Sequence, residues 1–236
     1  MINVIALIIS LLPAVFIYLY IKGRILNEEK QKVNCREAMK QGLLCAVFIV
    51  PLSLVLNILI ALMKLDRIHP LLKEAVYNFI VLAFSEEFIK RRMLKKVEDK
   101  NGECFSGLET VCYMIIVGFG FEINESILYS FSTNVIQIFV RGILMMHGIF
   151  GYIMGSYLAK SRENHSKKDA ILSFVLPWLF HGAYDFSLSE ELLEISDFFV
   201  LLPFALVLVN IILMVKMFLF LYREGRKRKQ AADTNG

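Results

Sequence analysis

The chain has 236 residues, 57% of them hydrophobic and 20% charged, with a mean hydropathy of +0.59. Soluble domains run about 45–50% apolar and about 25% charged, so this composition argues against a soluble domain. The formal net charge of +4 sits in short basic blocks beside apolar runs, which fits membrane orientation and gives no reason to expect a nucleic-acid partner.

A bilayer core needs roughly 20 apolar residues to be crossed as a helix. Residues 2–21 form the first such run. It is too long, and too bulky at Phe16, Tyr18 and Tyr20, for a signal peptide, and reads as a retained helix. A loop with Lys22, Arg24, Lys30, Lys32, Arg36 and Lys40 leads to a second span over 42–63. Asp66, His69 and Pro70 precede a third over 71–89, which ends in Lys90, Arg91, Arg92, Lys95 and Lys96. The fourth covers 108–131 and the fifth 135–159, followed by Lys160, Arg162, Lys167 and Lys168. The sixth covers 170–188 and an acidic loop follows it; the seventh covers 198–222 and runs into Arg223, Arg226, Lys227, Arg228 and Lys229.

The expected fold is therefore all-α: a polytopic membrane bundle of about seven helices. Residues 1–222 are expected to form one transmembrane domain, and 223–236 a basic, polar cytosolic tail that lacks structure after Arg226. The loops after the odd spans are basic and those after the even spans are not. This places the N-terminus outside and the C-terminus in the cytosol. The four cysteines, Cys35, Cys45, Cys104 and Cys112, lack CxxC spacing and suggest neither a disulfide framework nor a cysteine zinc site.

Ionisable residues inside spans cost at least about 2.5–3.5 kcal/mol on insertion scales. Four places carry them. Glu86 and Glu87 end the third span and point about 100° apart on a helix; Glu86 is spaced to pair with Lys90, and Glu87 with Arg91. Glu122 and Glu125 share a face of the fourth span, behind Gly118 and Gly120. Arg141 and His147 lie in the fifth, ahead of a small-residue stripe at Gly148, Gly151 and Gly155. His181 and Asp185 stack one turn apart in the sixth, the spacing of a metal pair or of a carboxylate orienting an imidazole. Taken singly, each has an ordinary structural explanation as a snorkelling end, a packing face or a buried pair. Together, on four consecutive spans, they supply what hydrolysis in lipid requires: a base or metal to activate water and groups to stabilise an amide oxygen. Buried carboxylates and histidines also build proton or cation transporters. No inverted repeat accompanies them here. A non-catalytic membrane regulator is a further alternative.

In this order the segments resemble the PrsW family of intramembrane proteases. The motifs are Glu86-Glu87-Phe88-Ile89-Lys90; Gly118, Gly120, Phe121, Glu125 and Tyr129; His147, Phe150, Gly151 and Gly155; and His181-Gly182-Ala183-Tyr184-Asp185-Phe186. They cover about residues 80–190. The chain departs from the family pattern at Glu122, where Ala is usual, and at Ser126, where Asn is usual. The family is distantly similar to CAAX prenyl proteases and bacteriocin-processing membrane enzymes. The resemblance implies a bacterial plasma-membrane protease that cuts a membrane-embedded protein, an anti-sigma factor, after its outer part has been trimmed. It implies catalytic roles for Glu86, Glu87, Glu125, His147, His181 and Asp185. Two mechanisms fit. In one, His147 and His181 hold zinc with a carboxylate, and a second glutamate acts as base. In the other, Glu86 or Glu87 activates water without a metal and the histidines stabilise the oxyanion. Asp185 suits an orienter of His181 in either.

Overall fold

The computed structural model describes residues 4–64, 69–131 and 135–234; Asp66 lies outside them. Their regular elements are all helical. In chain order they are α1 (Val4–Tyr20), continued by a wider π-wound turn over Ile21–Ile25, α2 (Glu29–Leu43), α3 (Cys45–Leu62) and α4 (Pro70–Val76). A second π segment, Tyr77–Ala83, leads into α5 (Phe84–Asn101), followed by α6 (Gly107–Tyr129), α7 (Val135–Leu144) and α8 (Met146–Glu163). The chain closes with α9 (Lys167–Ser187), α10 (Glu190–Leu193), a 3-10 turn over Asp197–Val200, and α11 (Leu201–Thr234).

Among the described residues, five helical stretches are long and apolar enough to cross a membrane: Val4–Ile25, Glu29–Leu62, Gly107–Tyr129, Val135–Glu163 and Phe198–Ala231. The other two expected spans are also helical, within Pro70–Asn101 and Lys167–Ser187. These two carry Glu86, Glu87, Lys90, His181 and Asp185, and that polar load lowers their apolarity. Leucines and phenylalanines of α1, α3 and α11 face outward, among them Phe16, Leu54, Leu62, Phe204 and Leu208, as expected of surface that meets lipid. The tail expected to be unstructured instead continues α11 through Thr234. Glu224 pairs with Lys227 one turn on, at 2.6 Å, and no Gly or Pro lies between Gly225 and Thr234 to stop the helix.

Helix starts follow the sequence. Ser106 accepts from the Glu109 backbone N–H while Glu109 accepts from that of Ser106, a capping box at the head of α6. Ser166 caps α9 by accepting from the Asp169 N–H. Gly102, at φ 79°, closes α5 in the left-handed conformation that glycine adopts without strain.

Two local features place the site. The first is the π segment. It leads into α5, whose first turn carries Glu86 and Glu87, both buried. The Phe79 carbonyl accepts from the Phe84 N–H and also from the Trp178 indole, the latter at 2.6 Å, which ties the segment to α9. Phe84 packs edge-on against Phe174 and Trp178 at the same junction.

The second is the set of glycines where α6 and α8 meet. A Cβ on Gly118 would overlap the backbone carbonyl of His147, and one on Gly151 would overlap that of Met114. Only glycines let α6 and α8 approach this closely. That approach brings Glu122 and Glu125 of α6 against His147.

Candidate active site

The carboxylates and imidazoles singled out on the four spans converge. His147 is the second residue of α8, just past a break at Met145 (φ 48°). First-turn backbone N–H groups lack helical partners. The Glu122 carboxylate supplies one, accepting from the His147 N–H at 3.0 Å. Glu122 thus caps α8 from another helix. Its spacing to Glu125 showed the shared face, but only the α7–α8 break explains why a carboxylate is needed there. At the other side of the break, the Leu144 carbonyl accepts from Asn210 Nδ2 of α11 at 2.8 Å.

The His147 ring is held on both nitrogens. Nδ1 lies 3.1 Å from Lys90 Nζ and Nε2 lies 2.5 Å from Glu125 Oε2. Phe121 and Phe150 stand edge-on to it at 4.7 and 5.9 Å between centroids. The His181 ring is 5.3 Å away. Its Nδ1 meets Glu87 Oε1 at 2.9 Å, while its Nε2 meets Asp185 Oδ2 at 3.1 Å and Glu86 Oε2 at 3.7 Å.

The pairings differ from the spacing-based expectation. Lys90 pairs with Glu87 at 2.5 Å, not with Glu86. Arg91 donates to the Ala170 carbonyl at 3.3 Å, not to Glu87. The reason is burial: side-chain exposures of Lys90 and Glu87 are 0% and 1%, so the two charges must satisfy each other. Lys90 also lies over the rings of Phe121 and Phe150 at 5.2 and 5.6 Å. Glu87, between Lys90 and His181 Nδ1, stands in the orienting position expected of Asp185. Asp185 instead approaches Nε2, beside Glu86. Sequence spacing could not show this: the Glu87 contact joins two helices, and the one-turn spacing of His181 and Asp185 does not say which ring nitrogen Asp185 meets.

Glu86, Glu122, Glu125, Asp185, His147, His181 and Arg141 line a cavity of about 520 Å³ whose remaining wall includes Leu82, Ile136, Val140 and Leu188. Ligand atoms of Glu86, His147 and His181 all lie within 4.8 Å of one another. Glu86 Oε2 is buried with no hydrogen-bond partner, which costs about 1–3 kcal/mol for a polar group. Two imidazoles and one carboxylate, with one oxygen of that carboxylate buried and unpartnered, make a donor set that fits zinc, whose catalytic sites take three protein ligands and leave a position open.

The family model of PrsW family intramembrane metalloproteases matches residues 38–217. Curated relatives called "Protease PrsW" match as well. That of Halalkalibacterium halodurans is 39% identical over 145 residues, 59% of this chain and 64% of the relative. That of Oceanobacillus iheyensis is 35% identical over 131 residues, 52% of this chain and 61% of the relative. That of Shouchella clausii is 30% identical over 155 residues, 64% and 72% of the two chains. The chain thus spans about three fifths of the length of the first two. No solved structure matches it. With the family model covering the helices that build the buried histidine–glutamate site, the chain belongs to the PrsW family of intramembrane metalloproteases.

Proposed function

We propose that the chain is an intramembrane endopeptidase that hydrolyses a peptide bond in or near a membrane-embedded segment of a protein substrate. The observation that carries this reading is the buried group Glu86, His147 and His181 on a partly apolar cavity. The basic loops support an orientation with the C-terminus and the ends of the odd spans in the cytosol. The motif resemblance points to an anti-sigma factor as substrate and to regulated proteolysis in stress signalling.

Glu86, His147 and His181 would hold the metal. A bound zinc lowers the pKa of a water and polarises a carbonyl. Glu87 holds His181 through Nδ1, a carboxylate–histidine arrangement that fixes ring orientation and raises ligand basicity. Lys90 neutralises Glu87 and keeps the pair dry. Glu125, at Nε2 of His147, is placed to take a proton from attacking water and deliver it to the leaving amide nitrogen. Water oxygen bonds to the carbonyl carbon, the C–N bond breaks, and the two products carry a new carboxyl and a new amine.

One contact favours a second, metal-free reading. An ammonium has no acceptor, so Lys90 must donate to His147 Nδ1. The neutral ring then carries its proton on Nε2, toward Glu125, and acts as a donor. Glu86 would serve as base on that route.

The test is cleavage of a single-span substrate in proteoliposomes, with and without a chelator. Cleavage that stops with chelator and returns with zinc supports the metal reading. Cleavage unaffected by chelator supports the metal-free one. No cleavage of any single-span substrate, with ion or proton flux through the same vesicles, would replace the protease by a transporter.

A further inference from the structure

We propose that Arg141 is a substrate-binding residue of this site. Its guanidinium takes the carbonyl oxygen of the peptide bond being cut and holds the negative charge that develops on it. The inference rests on the protease reading.

An oxyanion formed in this cavity would face Glu86, Glu122, Glu125 and Asp185, whose charges repel it. It needs fixed donors. Of the two cations near the histidines, Lys90 has no exposed surface and is committed to Glu87 and His147. Arg141 lines the cavity and keeps 30% of its side chain exposed. It offers five N–H donors in a planar fork. One nitrogen, Nη2, is on Glu125 Oε2 at 2.5 Å. The guanidinium lies 4.0 Å over the Tyr129 ring. These contacts fix its plane, while Nε is buried with no hydrogen-bond partner. Donor capacity therefore remains unspent beside the reacting groups.

The helix that carries Arg141 is also fixed. Gly142 sits against the backbone and side chain of Ser10 on α1, where a Cβ would overlap. Asn210 holds the Leu144 carbonyl at the end of the same helix. Donors held before the reaction cost no reorganisation during it. A substrate helix opened in lipid also loses its backbone partners, and its freed carbonyl needs a donor from the enzyme.

A purely structural role, holding Glu125 against His147, makes a different prediction, and R141K separates the two. Lysine keeps the charge that pairs with Glu125 but lacks the planar fork. The measurement is kcat and KM for a single-span substrate in proteoliposomes, for wild type, R141K, R141Q and the neutral pair E125Q/R141Q. Thermal midpoint and zinc content are recorded for each. The expected result is a fall in kcat of about 10²–10³-fold for R141K and R141Q, with KM and zinc content close to wild type in both and the midpoint close to wild type in R141K. If R141Q fails to fold, R141K carries the test alone, and a folded E125Q/R141Q shows that the unpaired Glu125 caused the failure. Near-wild-type kcat in R141K would overturn the proposal. So would a defect that disappears when acidic residues near the cut are neutralised, because Arg141 would then be reading a side chain. Absence of cleavage by the wild type would overturn the protease reading and this inference together.

Discussion

Replacing Lys90 by methionine removes the cation between Glu87 and His147. Methionine matches much of the lysine stem in shape, so the change is mainly one of charge. Glu87, 1% exposed, loses its contact at 2.5 Å and keeps only His181 at 2.9 Å. Breaking a buried pair on one side costs about 3–5 kcal/mol, because an uncompensated charge stays behind. Removing both charges is close to neutral for stability. K90M should therefore destabilise the protein by about 3–5 kcal/mol, and K90M/E87Q should recover most of that loss. Activity should not follow stability. The double variant lacks the carboxylate on His181 Nδ1 and should remain about 10–100-fold below wild type in cleavage or metal affinity. Reversible unfolding in mixed detergent gives the stabilities, and proteoliposome cleavage gives the rates. If K90M is as stable as wild type, Lys90 and Glu87 do not form a dry pair. If the double variant is fully active, Glu87 does not orient His181.

Glu122→Gln keeps the acceptor for the His147 N–H and should fold normally, whereas Glu122→Leu should cost about 1–3 kcal/mol, read from the same unfolding curves. Gly118→Leu should push α6 and α8 apart at His147 and cost at least about 1–3 kcal/mol, with cleavage lost even where protein accumulates. Asn210→Leu leaves the Leu144 carbonyl without its donor and should destabilise by about 1–3 kcal/mol. A reporter fused after Lys229 should read cytosolic and one near Glu191 external; the reverse at both positions would reject the proposed orientation.

Much of the bundle was legible in the sequence because lipid imposes one rule on long apolar runs: they form helices. Among the described residues the runs at 2–21, 42–63, 108–131 and 198–222 fall mainly on α1, α3, α6 and α11, and the run at 135–159 is divided between α7 and α8. The α7–α8 break was not legible, since Leu144-Met145-Met146 contains no glycine or proline; the capping of His147 by Glu122 and of Leu144 by Asn210 holds it from outside. The residues that gather around the cavity were named from their cost in a membrane. Their partners were not, because spacing along one helix reports only neighbours on that helix. Lys90 reaches Glu87 one turn back, but the contacts Lys90–His147, Glu87–His181 and Glu125–Arg141 all join different helices. The contacts of Glu122 and Glu125 with His147 depend on how near α6 and α8 lie, which Gly118 and Gly151 decide.

The central claim is that Glu86, His147 and His181 hold a catalytic metal. The most direct measurement is metal content of purified wild type, E86Q, H147A and H181A by elemental analysis, paired with cleavage by the same preparations. The account predicts about one zinc per wild-type chain, strongly reduced occupancy in each variant, and loss of cleavage in step with the metal. Wild type that cleaves at full rate without any bound metal would contradict it.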